Sequence, residues 1–264
     1  MRLLSYFLPN ESRTQRRSAL RLGALISPTE VLDLSSQDWL PANMRSALET
    51  GPACLNHIAE TIKEVQLLKT LPDRKIDFIP KIWELDKIVL CAPLPNPTSL
   101  RDFYAFEKHV VTAHEVRGKE LAKEWYEFPV FYFSNHNAIY GSGDIIPYPA
   151  RTNALDFELE IACIIGKVGS DIPADKAEEF IFGYTILNDW TARDIQWKEV
   201  RVGLGPAKSK DFASSMGPCI VTPDEMQGWK TERPGVYDVK MVAKVNGEIL
   251  SQGSWREIYY SCFK

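Results

Sequence analysis

Two glutamates one residue apart, Glu158 and Glu160, sit in the apolar run D-F-E-L-E-I-A-C-I-I-G at 156–166. The run reads as a strand, rich in Ile and Leu and closed by Gly166. A strand repeats every two residues, so both carboxylates share one face and Phe157, Leu159 and Ile161 the other. Neighbouring carboxylates repel and resist desolvation unless a cation joins them. A hard divalent ion such as Mg²⁺ or Ca²⁺ does this with oxygen ligands. The same spacing suits the solvated face of an edge strand, and the pair alone does not decide. Two more acids, Asp102 and Asp189, fall in other elements. Four such acids can hold one ion, with water or substrate oxygens completing the shell. His109 offers a base and Lys210 a cation. Spacing permits this set without assembling it.

The elements around these residues follow from pattern. Leu100–Glu115 reads as a helix, capped by Thr98 or Ser99, with Asp102 in its first turn and His109 two turns further on the same face. The alternative gives Asp102 a capping role and leaves His109 on the surface. Val130–Phe133 is strand-like, 141–144 a turn and 145–149 extended. Ala174–Phe182 is a predicted helix behind Pro173. The strand Gly183–Leu187 opens onto the polar mouth N-D-W-T-A-R-D at 188–194, and Arg193–Lys198 forms one or two helical turns. The loop G-L-G-P-A-K-S-K-D-F at 203–212 carries two lysines but lacks the spacing of a nucleotide P-loop. A strand follows within 217–223. Val239–Val245 and Glu248–Ser251 make a hairpin through Asn246-Gly247, a favoured two-residue turn. Ser254–Tyr260 begins a further element, read as a helix.

Upstream, Leu3–Leu8, Ala19–Ile26 and Val31–Leu34 read as strands, with a turn at 27–30. Pro41–Leu48 suits a short helix. Leu55, Ile58, Ile62 and Val65 mark an amphipathic helix over Ala53–Leu68 that includes His57, read as structural or surface. Pro72, Pro80, Pro93, Pro95 and Pro97 crowd residues 70–98 and place a boundary between a small domain, 1–90, and a larger one, 91–264.

Hydrophobic residues make up 45% of the 264, enough for a sizeable core. A net charge of -4, with only a short basic stretch at 13–21, gives no reason to expect a nucleic-acid partner. No apolar run is long enough to cross a bilayer, and the first residues lack the apolar core of a signal peptide. Cys54, Cys91, Cys163, Cys219 and Cys262 are odd in number and widely spaced, which favours free thiols in a reducing, cytoplasmic setting; Cys163 and Cys219 are expected to be buried.

Four blocks together resemble the fumarylacetoacetate hydrolase family: L-R-D-F-Y-A-F-E-K-H (100–109), L-D-F-E-L-E-I-A (155–162), F-G-Y-T-I-L-N-D-W-T-A-R-D-I-Q (182–196), and L-G-P-A-K-S-K-D-F (204–212) followed by M-G-P (216–218). The resemblance covers roughly residues 90–252. The N-terminal part is similar to the small extra domain of longer members. The implied fold is mostly β with inserted helices: a mixed β-roll, incomplete at its C-terminal part, plus a small N-terminal α+β domain. The resemblance makes Asp102, Glu158, Glu160 and Asp189 ligands of Mg²⁺ or Ca²⁺, with Mn²⁺ as a third candidate. It makes His109 the base that activates water and Lys210 a catalytic cation. Tyr104, Arg193 and Gln196 would contact substrate, while His114 and His136 receive no role.

The implied activity is hydrolysis of a C–C bond in a diketo acid, an acylpyruvate or a fumarylacetoacetate-like compound. His109 would take a proton from water, water would attack a carbonyl, and the leaving carbon would depart as an enolate, giving two carboxylic acids. The alternatives are a 2-oxo acid decarboxylase or isomerase of the same family, or a non-catalytic truncated member. A homodimer is expected, with no nucleic-acid or membrane partner. The sequence departs from the pattern in three places. Gly118, with Arg117 one earlier, stands where a substrate-holding arginine is expected. Val200 replaces a tyrosine. The chain ends at Lys264, before a Gly/Thr-rich block that closes the pocket in other members.

Overall fold

A computed structural model describes residues 1–10, 20–71, 76–116, 118, 120–203 and 205–261 of the chain. Most of the basic stretch at 13–21, together with Pro72, Arg117, Leu204 and Cys262, lies outside the described residues.

The first strand, β1 (Arg2–Phe7), is buried along nearly its whole length. Its apolar run lacks polar alternation because neighbours cover both faces. On one side it pairs antiparallel with β2 (Arg21–Leu25), followed by β3 (Glu30–Asp33). Helix α1 (Met44–Thr50) starts three residues later than its proline suggests, because Asn43 and Ser46 form a reciprocal capping box. Helix α2 (Pro52–Thr70) buries Cys54, Ile58, Ile62 and Val65 on one stripe against the sheet. Among the proline-rich residues, β4 (Ile82–Glu84) pairs with β3 and β5 (Val89–Leu90) pairs with β1.

The segment 100–115 is not one helix. Leu100–Phe103 is strand β6, and only Glu107–Glu115 is helical, as α3. Strand β6 pairs antiparallel with β7 (Phe131–Ser134), which satisfies the backbone groups a helix would otherwise use. Its exposure alternates: Leu100 and Asp102 are half-buried, Arg101 and Phe103 exposed. Neither Thr98 nor Ser99 caps a helix, and α3 begins at Glu107, preceded by Phe106, which offers no side-chain cap.

Strand β8 is Ile139–Tyr140. The predicted strand at 156–165 is two pieces, β9 (Leu155–Asp156) and β10 (Glu160–Ile165), joined by an irregular link that holds Glu158. Ala174–Phe180 is a 3₁₀-helix behind Pro173 rather than an α-helix reaching 182. Strand β11 (Ile181–Asp189) pairs antiparallel with β13 (Ser214–Val221), and at Gly183 a side chain would collide with Ile220 and the Val221 carbonyl. Between them lie β12 (Thr191–Ala192) and α4 (Arg193–Val202), a full ten-residue helix. Strands β14 (Lys240–Val245) and β15 (Glu248–Ser254) form the expected hairpin, with Asn246 at φ 52° and Gly247 at φ 88°. The last element is a short 3₁₀-turn, Trp255–Glu257.

Among the described residues, the main sheet runs β10-β11-β13-β1-β2-β3-β4, with β5 and β8 attached at β1 and β13. Arg2 pairs with Val221 and Leu3 with Ile220, so the sheet is continuous across residue 90. One core also spans both sides of that point, joining Leu3, Leu22, Ile58 and Val65 to Phe182, Leu187, Met216 and Ile220. A second cluster stacks Tyr184, Tyr237 and Trp255 beneath the hairpin. Tyr259 and Tyr260 both bond the Ala105 carbonyl, and Tyr260 packs with Val110 and Trp125 beside α3. Cys163 and Cys219 are half-buried rather than buried, and among the described residues no disulfide joins Cys54, Cys91, Cys163 or Cys219 to another.

Candidate metal centre

Pairing of β6 with β7 sets Asp102 opposite Tyr132. The outer face of this two-stranded ribbon is aromatic, with the Arg101 guanidinium lying over Phe131 and Phe133. Its inner face therefore carries the acid and the phenol. Asp189, at the end of β11, is almost fully buried and accepts a hydrogen bond from Ser214 Oγ at 3.2 Å. Tyr132 Oη lies 2.5 Å from Asp102 Oδ2 and 2.7 Å from Asp189 Oδ2. A hydroxyl has one hydrogen to donate, so two ionised partners would leave one contact without a proton. Burial, followed by the charge of Asp189, pushes the Asp102 carboxyl up to about 7, and a proton on Asp102 resolves the clash.

Glu158 reaches the same place from the link between β9 and β10, where its backbone N–H donates to Asn188 Oδ1 at 3.0 Å. Glu160 follows at the start of β10. Asp102, Glu158 and Glu160 each present a carboxylate oxygen, all within 4.8 Å of one another. The two glutamates thus converge, though not through the pleat of one unbroken strand. Burial, then the charges of Asp102, Glu158 and Asp189, hold the Glu160 carboxyl well above its usual range. Burial also opposes ionisation of Glu158, but Lys210 and Arg193 outweigh it and keep that group low.

Two cations brace these acids. Lys210, 3% exposed, donates to Glu158 Oε2 at 2.5 Å and Asp189 Oδ2 at 2.6 Å. Burial disfavours its charge, yet Glu158 and Asp189 more than restore it, so its pKa is raised. Arg193, at the start of α4, donates through Nε to Asp156 Oδ2 at 2.7 Å and through Nη1 to Glu158 Oε1 at 2.7 Å. The same Nη1 donates to Gln196 Oε1 at 3.1 Å, which joins Gln196 to the network.

Oxygen-only donors on a rigid frame suit Mg²⁺, Ca²⁺ or Mn²⁺. The raised carboxyls of Asp102 and Glu160 reflect a repulsion that a divalent ion would relieve. Asp189 stands beside the three converging acids, tied to them through Tyr132 and Lys210.

The remaining expected residues make contacts of their own. Tyr104, on the link between β6 and α3, packs beside Val110 and Trp125. His109 is exposed on α3, its ring edge-on to Tyr104 with centroids 5.6 Å apart. His114 turns back on its own helix, with Nδ1 2.9 Å from the Val110 carbonyl. His136 lines a cavity of about 340 Å³ that shares Tyr132 and Lys210 with the metal centre. Val200 stands 37% exposed on α4, and Gly118 has φ 62°. Sequence reasoning missed Tyr132 and Asp156. The one available signal for Tyr132 was alternation in F-Y-F-S, which sets its phenol opposite the flanking phenylalanines.

Residues 98–264 match the family model described as Fumarylacetoacetate (FAA) hydrolase C-terminal. The chain belongs to the fumarylacetoacetate hydrolase family. It is 31% identical to the fumarylacetoacetase of Dictyostelium discoideum over 217 residues, covering 73% of this chain and 50% of that protein. It is 30% identical to oxaloacetate tautomerase YisK of Bacillus subtilis (strain 168) over 246 residues, covering 91% of this chain and 76% of that one. The chain thus spans about half the length of the fumarylacetoacetase it matches. In structure it is similar to the fumarylacetoacetate hydrolase of Exiguobacterium antarcticum, with a TM-score of 0.66 at 24% identity over 99% of this chain and 78% of the other. It is also similar to maleylpyruvate hydrolase from Sphingobium sp. SYK-6, in complex with manganese(II) ion and pyruvate, with a TM-score of 0.66 at 18% identity over 99% and 80%. At these identities the structural likeness establishes the fold: the family's β core with helices around it. Among the described residues, no helix is long and apolar enough to cross a membrane.

Proposed function

We propose that the chain is a divalent-metal-dependent hydrolase that cleaves a C–C bond in a diketo acid, an acylpyruvate or a fumarylacetoacetate-like compound. The observation that carries this is the convergence of Asp102, Glu158 and Glu160, with carboxylate oxygens within 4.8 Å of one another. These three, with Asp189 beside them, would hold Mg²⁺, Ca²⁺ or Mn²⁺. A bound ion would chelate the substrate's two oxygens and polarise its carbonyl.

The chain's own residues supply the rest. His109 takes a proton from water, which attacks the carbonyl carbon. The C–C bond breaks and its electron pair leaves with the departing carbon as an enolate. Lys210 Nζ lends positive potential where that charge develops. Arg193 is committed to Asp156 and Glu158 and holds the Gln196 oxygen. Gln196 is thereby left with its amide N–H₂ as the end that donates to a substrate oxygen. Tyr104 forms the apolar wall beside His109. A homodimer in a reducing cytoplasm completes the proposal, the second point supported by the free thiols of Cys54 and Cys219.

A second reading is enolisation or decarboxylation of a 2-oxo acid. The long alignment with oxaloacetate tautomerase YisK, covering 91% of this chain, favours keeping it. Both readings use the same acids and differ in what the enolate does next. An assay of an acylpyruvate and of oxaloacetate with Mg²⁺ or Mn²⁺ separates them. Two carboxylic acid products support the hydrolase. CO₂ release, or a keto–enol change without cleavage, overturns it in favour of the second reading. Inertness toward all of these substrates would favour a non-catalytic member.

A further inference from the structure

Helix α4 carries Arg193 and Gln196 at the metal centre, and one turn after Gln196 it carries Glu199. The Glu199 carboxylate is filled by donors from the turn at 207–209. Its Oε1 accepts from the Lys208 N–H at 2.6 Å. Its Oε2 accepts from the Ala207 and Ser209 N–H groups, each at 3.2 Å, and from Ser209 Oγ at 2.5 Å. Three consecutive N–H groups converging on one anion form a nest, here occupied by the protein's own side chain. The turn has no ladder of its own to satisfy those groups. Its other ties are the bonds of the Lys210 and Asp211 N–H groups to the Ala207 carbonyl and of the Ala192 N–H to the Ser209 carbonyl. The next residue is Lys210, whose Nζ reaches both Glu158 and Asp189. Lysine is a point charge on a flexible stem, so the placement of Nζ depends on how firmly its backbone is held.

We propose that Glu199 is a positioning residue that acts through Lys210: by gripping the 207–209 turn, it fixes the ammonium between two acids of the metal centre. The proposal rests on the metal-dependent reading of that centre. It makes α4 a single template, with one face holding Arg193 and Gln196 and the next turn holding the loop that delivers the lysine.

A double-mutant cycle tests the coupling, read by Mn²⁺ titration of metal-free protein and so independent of any substrate. The Lys210 ammonium competes with an ion for oxygens of Glu158 and Asp189. Lys210→Ala should therefore tighten Mn²⁺ binding, by about fivefold or more. Glu199→Gln keeps the size of the side chain but offers one acceptor oxygen, and its N–H₂ faces the donors of the turn. It should tighten binding by a smaller factor. The double variant should match Lys210→Ala alone, because residues acting as one unit are not additive. Multiplying single effects in the double variant, or an unchanged Kd in Glu199→Gln, would overturn the proposal. If Glu199→Gln does not fold, Ser209→Ala removes one donor and leaves the carboxylate. Its Mn²⁺ Kd should lie between wild type and Lys210→Ala, and an unchanged Kd would overturn the proposal there too. In turnover of an acylpyruvate, Glu199→Gln should lower kcat about tenfold with little change in KM, an effect absent in the Lys210→Ala background. A wild type that turns over none of the acids would sink the functional reading, while the Mn²⁺ cycle would still decide the role of Glu199.

Discussion

Removing the metal should give this protein an unusual dependence of stability on pH. Asp102 titrates near 7 in the folded, metal-free chain, against an ordinary 3.8, because burial and the charge of Asp189 disfavour its ionised form. Glu160 is shifted the same way by burial and the surrounding acids. A carboxyl whose folded pKa is raised favours folding while it is protonated, and that advantage fades as pH rises above the unfolded value. Between about pH 5 and 6.5 the unfolded chain has shed the Asp102 proton and the folded chain largely keeps it. Stability should therefore fall by about 1.4 kcal/mol per pH unit for the proton retained on Asp102, and Glu160 acts in the same direction. Across this window, Asp102 alone contributes roughly 2 kcal/mol. Glu158 is shifted in the opposite sense and acts only below its ordinary value of 4.5; Lys210 acts above 10.5. Neither enters the window. Urea unfolding in a chelator at pH 5.0, 5.75 and 6.5 measures the slope. Saturating Mn²⁺ should abolish it, since the ion replaces the protons, and Asp102→Asn should remove about one proton's worth. A metal-free stability that is flat or rises across this window would refute the charge accounting of the centre.

Three further outcomes follow from individual contacts. Glu158→Gln loses a ligand oxygen and the ion pairs with Arg193 and Lys210, so calorimetric titration should show Mn²⁺ affinity reduced at least about 100-fold and turnover abolished. Tyr132→Phe removes the hydroxyl between Asp102 and Asp189; the metal-free protein should lose about 1–3 kcal/mol in urea unfolding at pH 6. Trp255→Ala empties a buried site between Tyr184 and Tyr237 and should cost about 3–5 kcal/mol, visible as a lower thermal midpoint with metal stoichiometry unchanged.

Local chemistry made much of the frame legible. Asn246-Gly247 dictated its hairpin because both residues accept positive φ. The stripe of Ile58, Ile62 and Val65 dictated α2, and the apolar runs near the N-terminus dictated β1 to β3. The order of the acidic blocks was enough to identify the family, and three of its acids, Asp102, Glu158 and Glu160, converge in the fold.

What the sequence could not decide depended on partners far along the chain. Asp102 sits on a strand because Phe131–Ser134 supplies the missing backbone bonds, about thirty residues away. A cap at Thr98 or Ser99, with Asp102 in the first turn, had favoured a helix there. Glu158 reaches the site through a break between two strands, held by the Asn188 side chain rather than by the pleat. Tyr132 and Glu199 carried no motif signal, since a phenol or a carboxylate becomes part of a site only when distant segments bring it donors or acceptors. The composition of the centre was thus written in the sequence. Its geometry and protonation were decided only by tertiary structure, because burial and the proximity of like charges exist only once the strands have paired.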